Sequence, residues 1–344
     1  MRCTISLKSN KKGLAWQLFV KKRSIFLQNG VKFAIKYIFL QANEPKPTVR
    51  KSSKQSNKTM KLDGRRESEN FEDRRGMSGG QMAGLGIGGM IIVGLITLLM
   101  GGNPLEVVQQ MGGMQGGEEQ QQEVTFSPEE EAQAKFCRQI LASTEDVWSA
   151  VFRQMGKTYT PPTLVLFSGQ VQTNCGGATS AVGPFYCSAD QKLYIDLSFF
   201  KQMETDLKSP GEFPRAYVIA HEVGHHVENL LGILPQVHAK MSQAGKVQAN
   251  QLSVRLELLA DYYAGVWAHY EDQAFGSLES GDLQKAINCA QHIGDNYLQE
   301  RAQGYSQPES FTHGTSDQRM RWLKRGYQTG DMNTTTFTGS YESL

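Results

Sequence analysis

The stretch AYVIAHEVGHHVENLLG, residues 216–232, sets His221, His225 and His226 together with Glu222 and Glu228 inside an otherwise apolar run. Three of the chain's seven histidines therefore fall in one helix-length segment. Residues four apart share one face of an α-helix, so His221 and His225 point the same way. Either the segment is a partly polar core helix, or its two imidazoles aim at a cation, with Glu222 beside them within reach of a water on that cation. Pro214 offers a helix start, and Tyr217 to Ala220 supply the buried flank.

A catalytic zinc site needs three protein ligands and leaves a fourth position for water. The scheme H-E-x-x-H-x-x-G-x-x-H fails here, because Glu228 and Leu231 stand where Gly and His are required. Downstream, SVRLELLADYYAGVWAHY carries Glu257 and Asp261, four apart and beginning 32 residues beyond His225. Glu257 completes a set with His221 and His225. Asp261 can accept a hydrogen bond from the non-ligating nitrogen of one histidine and fix its tautomer. A solvated helical face is the alternative for these carboxylates, but with Leu256, Leu258, Leu259 and Ala260 as apolar neighbours, two carboxylates embedded in such a helix need a partner. His226 and Glu228 fall on other faces and are read as a bystander and a surface residue. His238, His269 and His292 stand isolated, which suits surface or core roles.

Charge divides the chain unevenly. Residues 1–59 carry fourteen Lys and Arg against Glu44 alone, a net of +13, while the whole chain is +2, so residues 60–344 hold −11. That balance leaves the main domain without the basic patch that nucleic-acid binding requires. The leader 1–59 is read as lying outside the functional fold, with Met60 as the expected start. Residues 60–81 form a polar segment expected on the cytoplasmic side. Met82 to Met100 is 19 residues without a charge, long enough to cross a hydrocarbon core of ~30 Å. Arg65, Arg66, Arg74 and Arg75 precede it and no Lys or Arg follows until Lys135, which predicts a single span with the N-terminus cytoplasmic and the rest outside. Gly84 and Gly88 make a small-xxx-small pair, weak evidence for helix pairing. Residues 101–124, rich in Gly, Gln and Glu, read as a flexible linker.

The globular domain is expected over 125–330. Ser127, Pro128 and Glu129 to Glu131 make a helix N-terminus, and the apolar spacing that follows suggests two consecutive helices. Thr163 to Gly169 and Pro184 to Phe200 read as strands, the second interrupted by a turn at SADQ. The tail 331–344 reads as disordered. Outside the leader four cysteines remain, Cys137, Cys175, Cys187 and Cys289, an even number compatible with an oxidising compartment. Cys175 and Cys187 flank a loop that one bridge could close, leaving Cys137 and Cys289 as a second candidate pair or as free thiols. No CxxC is present, which disfavours a cysteine zinc site.

HEVGHH followed by ELLADYYAG resembles the gluzincin metallopeptidases, and more closely the bacterial putative neutral zinc metallopeptidase family. GRRESENFEDRRG, MGKTYTPPTLVLF, CGGATSAVGPFYCSADQKLYIDLSFF and FTHGTSDQRMRWLKRGYQTGD extend the likeness over residues 62–332. The resemblance implies a membrane-tethered zincin domain of α+β class, mostly helical with a small sheet and preceded by one transmembrane helix, at the bacterial inner membrane with its catalytic domain extracytoplasmic. Its members are mostly assigned as peptidases by motif, so the resemblance brings no known substrate; Zn²⁺ as cofactor and a peptide or protein substrate are expected from the motif chemistry. In FTHGTSDQR, His313 and Arg319 resemble a His and an Arg near the active site of related enzymes, where such a histidine can stabilise an oxyanion. The reaction expected is peptide hydrolysis with Glu222 as general base and an extended substrate pairing with Leu193 to Leu197. A membrane-anchored binding or assembly protein with a structural or inactive zincin domain is the alternative.

Overall fold

A computed structural model describes residues 60–76, 125–332 and 338–344. The expected leader, span and linker lie outside the described residues. Among the described residues no helix is long and apolar enough to cross a membrane.

Ser127 caps the first long helix, α1 (Pro128–Gln154): its side chain accepts from the Glu130 N–H, and the Glu130 side chain accepts from the Ser127 N–H. The expected pair of helices is one helix of 27 residues. The polar Ser143 and Thr144 do not break it, because their hydroxyls bond inward, to Glu271 and to the Leu141 carbonyl. Strand β1 (Phe71–Asp73) lies ahead of α1, and β2 (Thr163–Phe167), β3 (Gln170–Thr173), β4 (Gly176–Thr179), β5 (Phe185–Cys187) and β6 (Lys192–Asp196) follow it. The main sheet has the order β1-β2-β6-β5, with β1, β2 and β6 parallel and β5 antiparallel to β6. Strands β3 and β4 make a separate antiparallel hairpin. The segment Leu193 to Leu197, expected at an edge, is therefore mostly the interior strand β6, and β5 holds the edge.

Helices α2 (Ser198–Thr205), α3 (Glu212–Leu230), α4 (Ile233–Met241), α5 (Lys246–Phe275), α6 (Asp282–His292), α7 (Asp295–Gln303) and α8 (Ser316–Thr329) complete the domain, so the fold is mostly helical with a small sheet, as expected. Glycines set its closest crossings. A Cβ on Gly224 of α3 would meet the Ala260 backbone of α5 at 2.8 Å, and one on Gly326 of α8 would meet the Tyr262 carbonyl oxygen at 2.0 Å. Helices α3 and α8 thus lie nearly backbone to backbone against α5, either side of Glu257 and Asp261. The largest wholly buried side chains of the core include Trp148, Tyr217, Tyr263 and Trp267.

Two boundaries differ from expectation. Residues 60–76 are part of this fold: Met60 and Leu62 are buried, β1 pairs with β2, and Arg65 reaches Glu271 at 2.7 Å. Of the expected disordered tail, residues 338–344 dock on the helices, with Leu344 buried and its carbonyl accepting from Arg321 at 2.6 Å. Charged flanks and a polar composition concealed both attachments.

Candidate metal centre

His221 and His225 project from one face of α3, and Glu257 meets them from α5. One ligand atom of each lies within 4.8 Å of the other two. The nearest approaches are 3.2 Å from His221 Nε2 to Glu257 Oε2 and 3.5 Å from His225 Nε2 to Glu257 Oε1. Tetrahedral zinc with bonds of about 2.0–2.2 Å separates its ligand atoms by about 3.3–3.6 Å, and both His–Glu approaches lie close to that spacing.

The far nitrogens say which atoms face inward. His221 Nδ1 donates to Asp261 Oδ1 at 2.8 Å, and His225 Nδ1 donates to Glu228 Oε2 at 3.1 Å. With each Nδ1 held by a carboxylate, the neutral imidazoles would keep their Nε2 lone pairs for a cation on the Glu257 side. Burial opposes a positive charge on His221, yet Asp261 and Glu257 outweigh it and lift the imidazole to about 9. His225 is raised well above its ordinary value against the same burial, by Glu228 and Glu257. Burial also opposes ionisation of Glu257, but His313, His225 and His221 hold it well below the usual carboxylate range. A field that attracts a second proton to two histidines also attracts a divalent cation, and the donor set of two nitrogens and one carboxylate suits Zn²⁺.

Asp261 is itself anchored. Arg319 of α8 donates to it from Nε at 2.8 Å and Nη2 at 3.0 Å, and the Tyr217 hydroxyl donates at 2.6 Å. Burial would raise Asp261, but Arg319 and His221 prevail and lower it to about 2. Arg319 also lies 3.9 Å from Glu257. Glu222 is buried beside the ligands, and that burial raises its carboxyl against the pull of His221 and His225. His313 lies in the loop before α8, where its Nδ1 meets Asp295 at 3.1 Å. Asp295 is fully buried and accepts from the backbone N–H groups of Thr312, His313 and Gly314, which fixes that loop. Burial disfavours the charged imidazole of His313, but Glu257 and Asp295 raise it.

The structure thus gathers His221, Glu222, His225, Glu257, Asp261 and Arg319 at one centre and sets His313 within the electrostatic reach of Glu257. Sequence reasoning missed three participants. Glu228, expected at the surface, is fully buried, and burial pushes it up to about 7. Its position one turn beyond His225 was the available signal. Tyr217 carried the same kind of signal, one turn before His221, whereas nothing local marks Asp295. His226 faces away from the centre, as expected, but it is no idle bystander. Its Nε2–H donates to the Thr160 carbonyl and its Nδ1 accepts from the Tyr186 hydroxyl, tying the entry to β2 and the edge strand β5 to α3.

A cleft of about 300 Å³ opens beside the ligands, bounded by Phe185, Tyr186, His225, Met241, Leu256 and Glu257. The β3–β4 hairpin forms its far wall, and the Cys175–Cys187 disulfide ties that hairpin to β5. Cys137 and Cys289 do not pair. Both are free and buried, and burial pushes each thiol up to about 12.

Residues 60–337 match the model of the putative neutral zinc metallopeptidase family. The chain belongs to this family. The uncharacterized protein YpfJ of Escherichia coli is 49% identical over 279 residues, covering 79% of this chain and 96% of that protein. The uncharacterized protein Rv2575 of Mycobacterium tuberculosis is 42% identical over 209 residues, covering 58% of this chain and 70% of its own length. No solved structure matches the chain. The family match begins at Met60, so the attached segment 60–76 is part of what this family shares.

Proposed function

We propose that the domain hydrolyses peptide bonds with Zn²⁺ held by His221, His225 and Glu257. The observation that carries this reading is the three-ligand triangle with carboxylates behind both histidines. A structural zinc site would be closed by a fourth protein ligand, and among the described residues this cluster has three. That argues against the alternative of a binding protein with a structural metal.

When bound, Zn²⁺ supplies Lewis-acid polarisation of a carbonyl and a lowered pKa for water. The rest falls to the chain's own groups. Glu222, buried and raised in pKa, takes a proton from the attacking water as its oxygen bonds to the carbonyl carbon. It then delivers that proton to the amide nitrogen as the C–N bond breaks. His313, whose Nδ1 is engaged by Asp295, presents Nε2–H in its charged form to the developing oxyanion. Strand β5, at the edge of the sheet among the described residues, offers backbone groups to an extended substrate lying in the cleft. The test is zinc content and cleavage of a peptide library by the full chain and by Glu222→Gln. The variant should keep stoichiometric zinc and lose hydrolysis; full activity in Glu222→Gln would overturn the assignment.

A further inference from the structure

The four arginines ahead of the apolar run 82–100 all have partners within the folded domain or its first strand. Arg65 bonds Glu271 at 2.7 Å, and Arg66 bonds Asp146 at 2.6 Å and Glu145 at 2.9 Å. Arg74 pairs with Glu72. Arg75, whose side chain is only 2% exposed, pairs with Asp73 at 2.6 Å and with Glu131 of α1 at 2.7 Å. Asn70 and Ser68 donate to Glu145 at 2.8 and 2.5 Å, and β1 is hydrogen-bonded into the sheet beside β2. Through Glu271, Asp146, Glu145 and Glu131 these contacts tie residues 65–75 to the domain that follows the run.

The two ends of the intervening segment also meet. The Arg75 guanidinium lies 3.9 Å over the Phe126 ring and donates to the Glu130 carbonyl at 3.3 Å, so residues 75 and 126 lie side by side in the fold. A single crossing of a bilayer would separate these ends by its thickness of ~30 Å. Residues 101–124 contain Glu106, Glu118, Glu119 and Glu123 and no second apolar run long enough for a return crossing.

We infer that the chain does not change compartment between Gly76 and Thr125: residues 60–76 and the metal-site domain lie on the same side of any membrane that the 82–100 run meets. This replaces the expected topology, in which that run divides a cytoplasmic segment from an exterior domain. It does not depend on the proposed peptidase activity.

The test uses the full chain expressed in a bacterium, with Cys3→Ser and a single added cysteine at an exposed position on either flank, Glu69→Cys or Lys157→Cys. Intact and permeabilised cells are treated with a membrane-impermeant maleimide. The buried Cys137 and Cys289 stay unlabelled while the protein is folded and so report misfolding in the same experiment. The Cys175–Cys187 bridge makes labelling at both positions in intact cells the expected result. Protection of both until permeabilisation also sustains the shared compartment and moves it inside. Labelling of one position with protection of the other overturns the inference.

Discussion

Glu228 accepts a hydrogen bond from His225 Nδ1 at 3.1 Å with its carboxylate fully buried. Its second oxygen has no hydrogen-bond partner among the described residues, so the group acts mainly on that imidazole. Carboxylates behind metal-bound histidines typically account for 10–100-fold in metal affinity. Glu228→Leu should therefore weaken zinc binding by about 10–100-fold, and Glu228→Gln, which keeps an acceptor without the charge, by less. Chelator competition measures both. Unchanged affinity in Glu228→Leu would make Glu228 a packing residue only.

Gly224 lies between the two histidine ligands in sequence and against Ala260 in space. Replacing a glycine inside a helix by alanine ordinarily stabilises by about 0.5–1 kcal/mol. Here the added methyl would stand 2.8 Å from the Ala260 carbonyl oxygen and 2.9 Å from its Cα, which are backbone atoms that cannot swing aside. Overpacking of this kind costs about 1–3 kcal/mol, so the sign reverses. Gly224→Ala should lower the thermal midpoint and, by pushing α3 off α5, weaken zinc binding as well. A variant more stable than the parent would show that the crossing is looser than it looks.

What could be read in advance was local. His221, His225, Glu257 and Asp261 were legible because a four-residue spacing on a helix fixes a shared face wherever the helix docks. Glu228 was misplaced because a turn's difference in facing depends on what packs there. The order of the strands could not be read at all: β6 looks like an edge until β5 folds back on it, and β1 arrives from far upstream to pair with β2. The contacts of Arg65, Arg66 and Arg75 with Glu271, Asp146 and Glu131 have no local mark, because those partners are distant in sequence. Asp295 had no local mark, since its work is done by backbone amides of a loop that it meets only after folding.

Arg65 and Glu271 test whether the first segment is structural. Glu271 is fully buried, and Ser143 and Ser277 also donate to it, at 2.5 and 2.8 Å. Removing one member of a buried ion pair typically costs about 3–5 kcal/mol, because the other charge is left without its counterion. Arg65 retains some solvent contact, so Arg65→Ala should cost nearer the lower end, about 3 kcal/mol, seen as a shift in urea midpoint with an unchanged slope. Loss of stability well under 1 kcal/mol would mean that residues 60–76 are not anchored to the domain.

His226 gives the fold a pH dependence separable from the metal's. Burial lowers its imidazole to about 4, only partly offset by the Thr160 carbonyl, against an ordinary value near 6.5. Between these values the unfolded chain binds the proton and the folded chain does not, so stability rises with pH across the window. The contribution is complete above about pH 6.5 and lost as pH falls toward 4, on the order of 3 kcal/mol in all. His226→Gln can keep both hydrogen bonds, accepting from Tyr186 and donating to Thr160, but it cannot titrate. With chelator present to remove zinc linkage, urea unfolding of the parent should weaken by about one proton's slope more than the variant from pH 6.5 to 4.5. Parallel curves for the two proteins would show that His226 titrates alike in the folded and unfolded chains.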